Sequence, residues 1–183
     1  VGEKMYYLRK ISEQTWFAKP ALDSDAISEL STIDHDLSVW KFSGNSINSE
    51  EIDNLALALA MTRSKIEELY IVKIDLSKIQ KKYKWTVALH EELGLSYFDR
   101  MNNKHTNLIL EDFWHQGFLA EFIKKEIECV DNYVYYDVPT LEELLYKAVE
   151  NGMLAESRVK ERGGDWKRSL KKMQDLHRLQ TAS

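Results

Sequence analysis

The spacing of hydrophobic positions changes several times along this chain, and each change marks a new element. Met5 to Ile11 mixes bulky and polar residues as a half-buried strand does. Trp16-Phe17 follow, where they can close the edge of a core. Asp23 and Ser24 are placed to cap a short helix through Ser31, with Ala26, Ile27 and Leu30 on one face. Leu37-Ser38-Val39-Trp40-Lys41-Phe42 alternates and predicts a second strand, broken by Ser43-Gly44-Asn45. Asn48 with Glu51 has the spacing of a capping box, and Leu55 to Met61 is apolar on nearly every side, which predicts a buried helix. Leu69 to Ile74 predicts a third strand. Strand, helix and strand in this succession have the spacing of a crossover unit, so a parallel pair with a right-handed connection is expected.

Asp75 can cap a short helix through Lys84. Trp85 to Leu93 fits a helix or an extended segment, Gly94 marks a break, and Ser96 to His105 predicts a loop anchored by Tyr97-Phe98. From Thr106 to about Glu128 a long helix is expected, with Leu110, Phe113, Trp114, Gly117, Phe118 and Ile123 on a wide apolar face. Tyr133 to Val138 predicts a fourth strand. Pro139 and Thr140 then open a helix whose Thr140 and Glu143 form a capping box, and Gly152 can end it. A connecting segment leads to Gly163-Gly164, and a last helix runs from Asp165 to about Leu179. The expected architecture is α/β: a single sheet of about four strands, partly parallel, covered by helices, plus a C-terminal amphipathic helix.

Charge adds a division that hydropathy alone does not show. Residues 158–183 hold eight Lys/Arg against Glu161, Asp165 and Asp175, a surplus of five positive charges, while the whole chain is at −5. Residues 1–157 therefore form an acidic α/β domain and residues 158–183 a basic helical extension, with Gly163-Gly164 as a joint. That asymmetry points to a contact made through the tail. Hydrophobic residues at 44% and charged residues at 30% are globular values, and five Trp with nine Tyr supply large core side chains. Cys129 is the single cysteine, which excludes an internal disulfide and a multi-cysteine zinc site; it reads as a small apolar filler at a helix end. No signal peptide and no transmembrane segment are expected, and a cytoplasmic location follows from the single thiol.

The last helix carries the first candidate site. Trp166, Leu170, Met173, Leu176 and His177 recur at helical spacing, and Lys167, Arg168, Lys171, Lys172 and Arg178 form a basic face. The stripe either docks on its own domain or pairs with a partner protein or a second copy, and the basic face suits phosphate or an anionic membrane surface. Trp166, Leu170, Met173, Lys167, Arg168, Lys171 and Lys172 are thus the partner-binding candidates. The catalytic candidates are His115 with Asp112, an acid and a histidine within one helical turn, and His90 and His35. His90-Glu91-Glu92-Leu93-Gly94 fails as a zinc-protease helix because the second histidine's place is taken by Gly94. A second Glu-x-x-His, a dinucleotide-binding glycine pattern, a phosphate-binding loop and a nucleophile elbow are all absent, so no metal or cofactor is expected.

Leu8-Arg9-Lys10-Ile11-Ser12 followed by Trp16, then Leu37-Ser38-Val39-Trp40 and the Ala-rich helix ending near Arg63, resemble a group of small uncharacterised bacterial proteins. The likeness spans about residues 5–75 and implies a bacterial cytosolic protein of the accessory genome, with no activity to carry over. The expected function is a non-enzymatic interaction or regulatory module binding through its C-terminal helix. The alternatives are a small enzyme acting on nucleic acid or nucleotides, or a nucleic-acid-binding protein without catalysis.

Overall fold

A computed structural model describes residues 4–32, 34–44, 47 and 49–181. Its strands are β1 (Met5–Ile11), β2 (Asp36–Ser43), β3 (Leu69–Ile74), β4 (Ala88–His90), β5 (His105–Ile109) and β6 (Tyr133–Tyr136), in one sheet of order β4-β5-β2-β1-β3-β6. The sheet has six strands and is antiparallel throughout. This corrects the expectation of about four partly parallel strands. The reason lies in β1, which pairs with β2 on one side and β3 on the other, antiparallel to both. β2 and β3 therefore run in the same direction, as their spacing demands, but the first strand of the chain stands between them. The crossover exists; the parallel ladder it would have made does not.

The other departure lies in residues 85–112. Thr106 begins no helix: His105–Ile109 is a strand that pairs with both β2 and β4. The helix starts only after Asp112, whose carboxylate accepts from the backbone N–H of His115 at 2.8 Å. Asp112 is thus an N-cap, satisfying one of the orphan donors of the first turn. Likewise the helix after Pro139 is capped by Asp137, which accepts from the Thr140 N–H at 2.9 Å, in place of the expected Thr140–Glu143 box. The expected Asn48 cap lies outside the described residues.

The chain divides into two compact units. The first comprises residues 1–47, 70–94 and 102–134. It holds most of the sheet with α1 (Glu13–Trp16), α2 (Ser24–Leu30), α4 (Leu76–Tyr83) and α6 (Phe113–Glu126). One face of the sheet presents Tyr7, Ile11, Leu37, Val39, Val72, Ile74 and Leu108, and these pack with Trp16, Leu30, Ile79, Leu119 and Ile123. Alternation along the strands puts the intervening residues on the opposite face. There Asp36, Ser38, Asn107 and His90 lie together at one end of the sheet.

The second unit comprises residues 48–69, 95–101 and 135–183. It contains α3 (Glu50–Ala60), α5 (Asp99–Asn102, its last residue excepted), α7 (Val138–Glu150), α8 (Glu156–Arg162) and α9 (Gly164–Thr181). Helix α7 packs against α3 and α9, and α8 against α9. Every residue from Leu55 to Met61 is buried, as the all-round apolar run requires. The stretch expected to be a plain connector, residues 156–162, is helix α8. No helix among the described residues is long and apolar enough to cross a membrane.

Candidate functional site

Two places collect the candidate residues, one in each unit. In the second unit, Gly163 adopts φ 119°, a conformation open to glycine, and turns the chain from α8 into α9. The turn is fastened to the end of α3. The Arg162 guanidinium donates to the Met61 carbonyl at 2.5 Å and also to the Thr62 carbonyl, while the Trp166 indole N–H donates to the Arg63 carbonyl at 3.0 Å. These carbonyls belong to the cap of α3 and the two residues after it, and a cation at this end of the helix also complements its dipole. Trp166 is 0% exposed and Leu170 3%. Trp166 and Leu170, expected to bind a partner, are thus consumed by their own fold, while Met173 is half-buried and Leu176 exposed.

Polar contacts fix the same helix to α7. Glu142, itself buried, accepts from Ser169 Oγ at 2.9 Å and from Lys172 Nζ at 2.5 Å. His177 bonds Glu143 at 3.1 Å and stacks on Tyr146 with ring centroids 4.0 Å apart. The bond from His177 holds the Glu143 carboxyl below its usual range. Lys172 is therefore an anchor, and Arg168 is paired with Asp165. What remains outward is a groove of about 230 Å³ between α8 and α9, with Leu170 in its lining and Lys160, Lys167, Lys171 and Arg178 around it. Lys160 pairs with Glu156 at 3.0 Å and Arg178 with Asp175 at 3.9 Å. Lys167 and Lys171 are exposed and have no carboxylate partner among the described residues.

In the first unit, His90 Nδ1 lies 2.9 Å from Asp36 Oδ2. Asn107, buried, donates from Nδ2 to Glu92 at 2.8 Å and to Asp36 at 3.4 Å, and its Oδ1 accepts from Ser38 Oγ at 3.3 Å. The cross-strand register explains this grouping: Ser38 stands opposite Asn107, and Asn107 opposite His90. Asp36 and His90 are 54 positions apart in sequence, and β5, paired with β2 on one side and β4 on the other, links them. The hydrogen bond that protonated His90 donates to Asp36 raises its pKa above 6.5. A base with an orienting carboxylate is present, and the nearby Ser38 hydroxyl donates to Asn107 and not to the imidazole.

The remaining catalytic candidates lie elsewhere. His115 stacks on Trp85 with centroids 4.2 Å apart, its Nδ1 is 3.6 Å from Asp112, and its helix packs on the core face of the sheet. The His90 side chain points from the opposite face. His35 sits in the turn before β2 with φ 61°, and its carbonyl accepts from the Leu110 N–H at 2.9 Å. The structure thus brings Asp112 and His115 together for capping and separates them from His90. No group of three His, Cys, Asp or Glu among the described residues is arranged to hold a metal ion, and Cys129 is exposed, not a buried filler.

The His90–Asp36 pair gives a measurable pH response. A histidine whose pKa is raised on folding adds stability that is complete below pH 6.5 and fades as pH climbs through the raised value. An NMR titration of His90 is expected to have its midpoint above 6.5, and Asp36→Asn is expected to bring it back to about 6.5. An unchanged midpoint in that variant would show that Asp36 does not set it. No protein-family model, curated protein or solved structure matches this chain.

Proposed function

We propose that this protein is a non-enzymatic interaction module, and that the α8–α9 groove receives an acidic segment of a partner protein. The observation that carries the reading is the pair Lys167 and Lys171, one helical turn apart, outward-facing and without carboxylate partners among the described residues. Uncompensated charge at the lip of a cleft with some apolar lining favours an anionic partner that also offers apolar side chains. Glu156 and Asp175 line the same groove, and the chain as a whole is at −5. Both oppose the dense charge of a phosphate backbone more than they oppose a mixed acidic peptide. The groove differs from the stripe expected on α9: it uses the basic face, with Trp166 serving the fold.

Fluorescence anisotropy with labelled poly-glutamate, and with a single-stranded oligonucleotide of similar charge, tests the reading on the full chain. Lys167→Glu combined with Lys171→Glu is expected to weaken poly-glutamate binding about a hundredfold, near tenfold per reversal, while leaving the urea midpoint in place. Arg168→Glu, on a residue already paired with Asp165, is expected to do far less. Equal binding by wild type and the double variant would exclude the groove. Stronger binding of the oligonucleotide than of poly-glutamate would move the protein into the nucleic-acid-binding class.

A further inference from the structure

The second unit also holds a cavity that shares no residue with the lysine groove. It encloses about 280 Å³ and is lined by Asn54 of α3, by the chain entering α5 and by the turn that ends α7. Small-molecule sites begin at about 300 Å³, so the space suits one compact ligand. Both walls are held by the fold. On one side Gly152 takes the left-handed φ of 69°, and the Met153 and Leu154 N–H groups return to the Ala148 carbonyl at 2.8 and 2.9 Å. On the other, Phe98 and Met101 are buried, the Phe98 N–H donates to Ser96 Oγ at 3.2 Å, and the Met101 N–H donates to the Phe98 carbonyl at 2.9 Å. A site fixed in shape loses little freedom when it is filled.

The side chains of this lining indicate the ligand. Asn54 stands half-buried just before the apolar run of α3. Its neighbour Asp53 accepts from the Tyr136 hydroxyl at 2.7 Å, but the Asn54 amide reaches only the Met153 thioether, a weak acceptor, at 3.9 Å. Its carbonyl oxygen and second N–H have no hydrogen-bond partner among the described residues. An amide that offers a donor and an acceptor side by side matches the N6 and N7 edge of adenine, whereas guanine sets two acceptors there. Tyr97, half-buried, has no ring neighbour among the described residues, which leaves its face for a base. Asp99 and Arg100 are exposed and make no ion pair among the described residues. A carboxylate can accept from ribose hydroxyls, and a guanidinium pairs with phosphate. We propose that this cavity binds an adenine mononucleotide, with the base face on Tyr97, its edge on the Asn54 amide and the phosphate on Arg100.

Isothermal titration calorimetry of the full chain with AMP, adenosine and GMP tests this, with circular dichroism to confirm that each variant folds. AMP is expected to bind about tenfold more tightly than GMP. Arg100→Ala, at an exposed position, is expected to weaken AMP about tenfold and to leave adenosine unchanged. Asn54→Leu is expected to abolish the preference for AMP over GMP. If Asn54→Leu does not fold, Arg100→Ala and the comparison of the two bases on the wild type carry the test. No binding of AMP at millimolar concentration overturns the proposal. So does equal affinity for GMP, or an AMP affinity that Arg100→Ala leaves unchanged. AMP binding lost on Lys167→Glu with Lys171→Glu but kept on Arg100→Ala would place the nucleotide in the α8–α9 groove and overturn this site.

Discussion

Trp166→Ala is expected to remove about 3–5 kcal/mol of stability, the range for deleting a fully buried aromatic side chain. Two losses combine. The indole is 0% exposed and lies in the small second unit, which has few side chains of comparable size. Its N–H is also the partner of the Arg63 carbonyl, at 3.0 Å. Removing a donor from a buried acceptor costs about 1–3 kcal/mol where water cannot replace it. Urea denaturation followed by circular dichroism measures the effect. A loss below about 1 kcal/mol would mean that α9 is not held to its unit by this residue.

Trp16→Ala should cost a similar amount, about 3–5 kcal/mol, because Trp16 is equally buried in the core of the first unit. The informative variants are the phenylalanine ones. The Trp16 indole N–H has no hydrogen-bond acceptor among the described residues, so Trp16→Phe removes a buried donor that was already unsatisfied there. Trp166→Phe removes one that was in use. The Trp166 variant is therefore expected to be the less stable of the two by about 1 kcal/mol. Equal losses would show that the Arg63 bond contributes nothing measurable.

Most of the local structure was legible because it rests on signals within a few residues. Leu69–Ile74 appears at its expected bounds, Asp23 and Asp75 cap the helices they precede, and Leu55–Met61 is buried throughout. What was not legible is the assembly of the sheet. β1 inserts between β2 and β3, and no local pattern records that choice. β4 is three exposed residues, too short to alternate recognisably, and β5 runs into the cap of α6 within a few residues, so its Thr106-Asn107-Leu108-Ile109 merged with the helix that follows.

The candidate sites show the same limit. Asp112 and His115 stood at an interval that suits a shared proton or metal, but three residues is also the interval of an N-cap, and that is how the fold uses it. The basic residues of the last helix were visible, yet which of them are engaged depends on Glu142 in α7 and Asp165 at the helix start. Amphipathic spacing marked a stripe of which Trp166 and Leu170 are buried and Leu176 is exposed, and left open whose core the buried part fills. Trp166 answers that through a carbonyl 103 positions earlier in the chain.

Both units are braided from three separate stretches of polypeptide. A ribosome that stops after residue 134 has already produced α3, whose greasy run from Leu55 to Met61 then has no α7 to lie against. The lysine groove cannot be transplanted as a short peptide either, since Arg162 and Trp166 need carbonyls 61–63 to hold their helices in place. Any partner that reads this surface is reading a finished molecule.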